Sequence, residues 1–199
     1  MKKLLVTACI IFVSGLFISC KKEKESTAGK VDQIISQQLR SELTNLGMEI
    51  FDGNTPPNME GTITLTPNYL FKSNIQGDPP MNTAFVNYSI KVFAQTSTND
   101  IKILGTGYGG ATSEKEESND AAISGSGNNF SIYGRHTITV GANSIIVANV
   151  YSGTLDGSQV KNLKKAFVVV DDSKGGNALL KNGAIRIFYD ANKISEFIK

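Results

Sequence analysis

From Ala84 onward the chain is a succession of alternating or continuous apolar runs separated by short turns rich in Gly, Asn and Asp. This spacing constrains the fold more than any other feature. Successive strands joined by tight turns must lie side by side and antiparallel. In Ala84–Thr96, one face carries Val86, Tyr88, Ile90, Val92 and Ala94; the other carries Asn87, Ser89, Lys91 and Gln95, with Phe85 and Phe93. In Phe130–Val140, one face carries Phe130, Ile132, Gly134, His136, Ile138 and Val140, and the other Ser131, Tyr133, Arg135, Thr137 and Thr139. Such alternation marks a sheet with one buried face. By contrast, Ile145-Ile146-Val147-Ala148 and Phe167-Val168-Val169-Val170 are apolar on both faces, so a helix is expected to cover one of them.

The full set of predicted strands is Gly61–Thr66, Ala84–Thr96, Asp100–Tyr108, Asp120–Ser126, Phe130–Val140, Ser144–Thr154, Val160–Asp171 and Ala184–Asp190. Their separators, such as Gly127-Asn128-Asn129, Gly141-Ala142-Asn143 and Asp156-Gly157-Ser158, are hairpin chemistry. The expected fold is mainly β: an eight-stranded antiparallel up-and-down barrel with an N-terminal helix, or alternatively a β-sandwich. The helix is predicted over 31–50, where Val31, Ile34, Ile35, Leu39, Leu43, Leu46 and Ile50 recur at spacings of three and four. Residues 31–199 then form a single domain, preceded over 20–30 by a polar tether, KKEKESTAGK after Cys20, that buries nothing.

The N-terminus reads as an address. Lys2 and Lys3 precede an apolar run from Leu4 to Ile18, followed by Ser19 and Cys20. A basic start, a short apolar core and a small residue at the cut predict a signal peptide over 1–19. The run is too short to span a bilayer, which takes about 20 apolar residues. Ser19-Cys20 resembles the bacterial lipobox, which implies lipidation of Cys20, palmitate included, and attachment to a membrane of the cell envelope, with the outer membrane as the expected one. Several acyl chains would hold the domain stably, since each buried methylene contributes about 0.8 kcal/mol.

Composition narrows the function classes. Without residues 1–19 the chain has 18 basic and 18 acidic side chains, so the basic excess of a nucleic-acid binder is missing. Cys9 would leave with the signal peptide and lipid would occupy Cys20, so no disulfide framework or cysteine nucleophile is expected. The one histidine, His136, excludes a two-histidine zinc motif. Gly105-Thr106-Gly107-Tyr108-Gly109-Gly110 fits G-x-G-x-x-G, but the following Ala111–Asp120 has no apolar helical face, so a glycine-rich strand end and a solvated charged loop are expected. Asp171–Asn177 lacks the alternating carboxylates of a calcium loop and reads as a polar turn. No cofactor, metal site or catalytic constellation is predicted.

Pro56-Pro57-Asn58-Met59-Glu60-Gly61, Asn68-Tyr69-Leu70, Ser73-Asn74-Ile75, Gly125-Ser126-Gly127-Asn128-Asn129-Phe130 and the strand Ala166–Asp172 resemble a group of uncharacterised Bacteroidota-type lipoproteins. The resemblance implies a lipocalin-like (calycin) barrel and an envelope location, and supplies no activity. Where lipocalins carry Gly-x-Trp, this chain has Gly61-Thr62-Ile63. The expectation is a non-enzymatic, lipid-anchored binding protein for a small apolar or amphipathic ligand. The alternative is a sandwich module that binds a protein or glycan through its loops. In a barrel, Val86, Tyr88, Ile90, Phe130, Ile132, His136 and Ile138 would face the interior, with His136 as the orienting polar group.

Overall fold

The computed structural model describes residues 26–108 and 115–199. The predicted signal peptide, Cys20 and most of the tether lie outside the described residues, as do Gly109 and Gly110 of the glycine-rich run.

Two helices open the fold, α1 (Thr27–Ile34) and α2 (Gln37–Asn45), where a single helix over 31–50 was expected. The break falls at Ile35, which is extended at φ −145° and ψ 129°. Ser36 then caps α2 by accepting from the Leu39 amide at 3.3 Å. The apolar stripe continues across the interruption because Ile35 stays buried, so periodicity alone conceals the second N-cap. The predicted tether is also shorter than expected. Ser26 accepts from Gly29 N at 3.1 Å and starts α1 inside it. Thr27 is buried and accepts from Asn99 Nδ2 at 3.0 Å. Lys30 donates to the Thr98 carbonyl at 2.9 Å and pairs with Asp100. Local polar contacts order these residues although they bring little hydrocarbon.

The strands are β1 (Asn54–Thr55), β2 (Gly61–Leu65), β3 (Asn68–Ser73), β4 (Asn87–Phe93), β5 (Asp100–Tyr108), β6 (Lys115–Ser126), β7 (Asn129–Val140), β8 (Asn143–Asp156), β9 (Gln159–Lys174), β10 (Ile185–Asp190) and β11 (Ile194–Ile198). Eight of them, in the order β2-β4-β5-β6-β7-β8-β9-β11 and back to β2, make a closed antiparallel barrel. Closure through β11 removes the open edges of a sandwich, so the barrel alternative holds. The ring differs from the expected set in one member. The predicted strand at 184–190, β10, is not a stave between β9 and β2. It pairs with β9 at Lys164–Val168 and carries β3 on its other side, while β11 takes β9 at Gln159–Lys161. Asn162, at φ 53°, sits where β9 changes partner.

A second difference bears on function. Lys115–Asn119, expected as solvated loop, belongs to the first half of β6, and it alternates: Glu116 and Ser118 are buried, Lys115 and Glu117 exposed. Polar residues with period two form a strand as readily as apolar ones when the inward positions find partners.

Two cores result. The barrel interior holds Ile63, Ile90, Ile123, Phe130, Ile132 and Phe197 among others. Outside the wall, Val31, Ile34, Ile35 and Leu43 of the helical region cover Ala122, Tyr133, Ala148, Val150, Ala166 and Val168. This is why the runs around Ala148 and Val168 are apolar on both faces. Among the described residues, no helix is long and apolar enough to cross a membrane.

Candidate functional site

The barrel interior changes character along its length. Pairing places Ile123 opposite Ile132 and Phe130 opposite Gly153, an apolar layer near the β6–β7 and β8–β9 turns. Two residues beyond Ile132, Gly134 pairs with Asn149, and toward the same end Gly105 pairs with Glu116. Here the interior is polar.

Glu116 is the centre of this layer, with its side chain shielded from solvent. Its Oε2 accepts from the Tyr151 hydroxyl at 2.5 Å, Asn149 Nδ2 at 2.9 Å and the Tyr88 hydroxyl at 3.2 Å. Such donors offset the cost of removing a carboxylate from water. Burial, foremost, and then the adjoining Glu116 and Tyr88 push the Tyr151 hydroxyl well above the ordinary tyrosine value, so it stays a donor. His136 Nδ1 lies 3.9 Å from Glu116 Oε1. The Lys165 ammonium lies 3.2 Å from the centre of the Tyr88 ring, a close cation–π contact inside the barrel.

Space for the carboxyl comes from two glycines. A Cβ on Gly105 would lie 2.5 Å from the Tyr88 hydroxyl and 2.9 Å from Glu116 Oε2. One on Gly134 would lie 2.8 Å from Ile103 Cδ1 and 2.9 Å from Glu116 Oε1. The first glycine of the G-x-G-x-x-G run therefore makes room for a buried side chain.

Above this layer a cavity of about 380 Å³ is lined by Tyr88, His136, Asn149 and Lys165, by Lys115, Thr137 and Thr139, and by the apolar Ile138 and Phe167. A cavity this size fits a small molecule. Among the described residues, two buried acceptors of the layer, Glu116 Oε1 and Asn149 Oδ1, receive no hydrogen bond. A larger hollow of about 430 Å³ lies outside the barrel beside Phe71 and Tyr189. There the Tyr189 hydroxyl already bonds Asn82 Oδ1 at 2.9 Å and the Lys164 ammonium bonds the Gly47 carbonyl at 2.6 Å. The barrel-end cavity, with unmet acceptors, is the better candidate.

Of the seven residues predicted to line the interior, Tyr88, His136 and Ile138 line this cavity. Ile90, Phe130 and Ile132 are fully inside but packed in the apolar core. Val86 is the exception. It precedes β4 and is half-buried, and its carbonyl accepts from Asn68 Nδ2 at 2.8 Å. Phe85 instead packs against the interior cluster, 5.1 Å from Phe188, because strand alternation begins only at Asn87. Glu116, Asn149, Tyr151 and Lys165 were not singled out from sequence. Among the described residues, no group of three or more His, Cys, Asp or Glu side chains could hold a metal.

No protein-family model matches this chain, and searches of curated proteins and of solved structures find no match.

Proposed function

We propose that this chain is a non-enzymatic binding protein, lipid-anchored to a membrane of the bacterial cell envelope through Cys20, whose barrel end takes a small amphipathic ligand. The observation that carries the ligand reading is the 380 Å³ cavity seated on a buried layer with unmet acceptors. Ile138 and Phe167 offer hydrocarbon to one part of a ligand, and Asn149, Tyr88 and the threonines offer hydrogen bonds to another. The rest of the interior is filled by side chains, so the ligand is small and enters only the end of the barrel. The anchor reading rests on Lys2, Lys3, the Leu4–Ile18 run and Ser19-Cys20. The outer membrane is the proposed address, with the domain held at its surface by acyl chains.

Two experiments test these halves separately. Metabolic labelling with a fatty-acid analogue should mark the wild-type chain and not Cys20→Ala, whose signal peptide should also remain uncut. Equal label on both would end the anchor proposal. Calorimetric titration of the purified full-length protein with medium-chain amphiphiles should give saturable binding. Phe167→Asp, which places a charge on the hydrocarbon side of the cavity, should abolish it. Failure of every member of a broad panel to bind would remove the ligand reading.

A further inference from the structure

We infer that the barrel-end cavity selects ligands that carry a hydrogen-bond donor, a hydroxyl or an amide N–H, and that Glu116 sets this preference by fixing the orientation of Asn149. The inference rests on the reading of this cavity as a ligand site and names the chemistry of the end that enters first.

An asparagine amide has two faces of opposite character, a donor NH₂ and an acceptor oxygen, and its neighbours decide which way it points. Here the neighbour is the Glu116 carboxyl, whose Oε2 accepts from Asn149 Nδ2 at 2.9 Å. The same oxygen accepts from Tyr151 and Tyr88. Turning the amide over would set Asn149 Oδ1 against an oxygen already surrounded as an acceptor, with two acceptors in contact and no proton between them. The NH₂ is therefore committed to Glu116, and Oδ1 is left to face elsewhere. Asn149 is only 2 % exposed, lines the cavity, and its Oδ1 has no hydrogen bond among the described residues. A buried acceptor with no donor is costly, and a ligand that brings the donor recovers that cost. A ligand that brings only an ether or ester oxygen leaves that acceptor unmet. Donor-bearing ligands gain by meeting it, and the discrimination should resemble that of other sites built around a buried polar group.

Glu116 does not line the cavity and acts as a positioning residue. Its role can be tested by removing the acceptor and by restoring it. In Glu116→Gln the amide oxygen takes the place of Oε2 and accepts from the same Tyr151, Asn149 and Tyr88 donors. Asn149 then stays oriented, and the preference should persist. In Glu116→Leu nothing holds the amide, which can turn its NH₂ to the cavity. The preference should be lost there and kept with glutamine, a pattern that a merely structural role would not produce.

The test uses two matched pairs titrated into the full-length protein by calorimetry: 1-octanol against 1-methoxyheptane, and octanamide against methyl heptanoate. Within each pair the heavy-atom count is the same and only the first member has a donor. The wild type should bind the donor member about tenfold more tightly, or better, as expected for satisfying one buried acceptor. Glu116→Leu should bring the ratio to about unity, and Glu116→Gln should keep it. Equal affinity within both pairs would overturn the inference while leaving the cavity a ligand site. No binding by any of the four would count against the ligand reading itself. A wild-type preference that persists in a folded Glu116→Leu protein, or that is lost in Glu116→Gln, would overturn the role given to Glu116. Should Glu116→Leu fail to fold, Asn149→Leu removes the acceptor directly; a donor preference that survives it would likewise overturn the inference.

Discussion

The two ends of the barrel interior solve opposite problems. Near the β6–β7 turn, Ile123, Phe130, Ile132, Val160 and Phe197 fill the space with hydrocarbon, and none is more than 3 % exposed. Burial there stabilises roughly in proportion to apolar area, about 25 cal/mol per Å², and no side chain needs a particular partner. At the other end Glu116 needs Tyr88, Asn149 and Tyr151 as donors, and it needs Gly105 and Gly134 to leave room. The first end tolerates change so long as volume is kept. The second constrains chemistry more than volume, because each partner is placed to donate to Glu116. The comparison also separates stability from function. The packed end is filled, whereas the polar end has two acceptors with no hydrogen bond among the described residues, beside a cavity.

The largest expected effect belongs to the packed end. Phe130→Ala should cost about 3–5 kcal/mol and Ile132→Ala about 2–5 kcal/mol, because both are fully buried and closely surrounded. Denaturant midpoints at constant slope measure this. A cost near zero at Phe130 would mean that this end, too, holds space, and the contrast between the ends would collapse.

A smaller loss is expected at Gly134. Its backbone is not in the left-handed region, so the penalty of Gly134→Ala is steric alone. The new methyl would meet Ile103 Cδ1 at 2.8 Å and Glu116 Oε1 at 2.9 Å, and displacing either should cost about 1–3 kcal/mol. Ligand affinity should fall as well, since the displaced carboxyl holds Asn149. If Gly134→Ala is as stable as the wild type and binds equally well, the polar layer is looser than its distances imply.

The same contrast explains what was legible in the sequence. The barrel follows from period-two alternation and hairpin turns, which are local, and the covered outer wall follows from runs apolar on both faces. His136 and Tyr88 were found because each lies on an apolar strand face. Glu116 was hidden because Lys115-Glu116-Glu117 reads as a charge run, and only its pairing with Gly105 of β5 and its burial show that the middle residue turns inward. Lys165 was hidden in the same way among Lys161, Lys164 and Lys165. The partner glycines lie on other strands, so the space they leave is a property of register and not of any one segment. β11 escaped notice because Ile194–Ile198 is short and terminal, with only Ser195 and Phe197 buried. Ser36 and Ser26 are N-cap residues, but the apolar stripe outweighed the first and the polar stretch the second.

The smallest expected effect is at Tyr151, and it carries a sign that the packed end cannot show. Tyr151→Phe keeps the ring and removes one donor, while Glu116 Oε2 retains Asn149 and Tyr88. No acceptor is orphaned, so the loss at neutral pH should be about 1 kcal/mol. The pH dependence is more telling. Burial raises the folded-state pKa of the Tyr151 hydroxyl well above its unfolded value near 10. A raised pKa means that the folded protein holds this proton more tightly than the unfolded chain does. Its contribution to stability is therefore fully present below about pH 10 and declines as pH rises through the folded value. Burial raises Tyr133 too, so the wild type should lose stability above pH 10 through both residues. Tyr151→Phe should lose it less steeply, because one of the two linked protons is gone. Thermal midpoints of both proteins across the alkaline range measure the difference. Parallel curves would show that Tyr151 titrates as an exposed tyrosine does, and the layer around Glu116 would then be open to solvent rather than sealed.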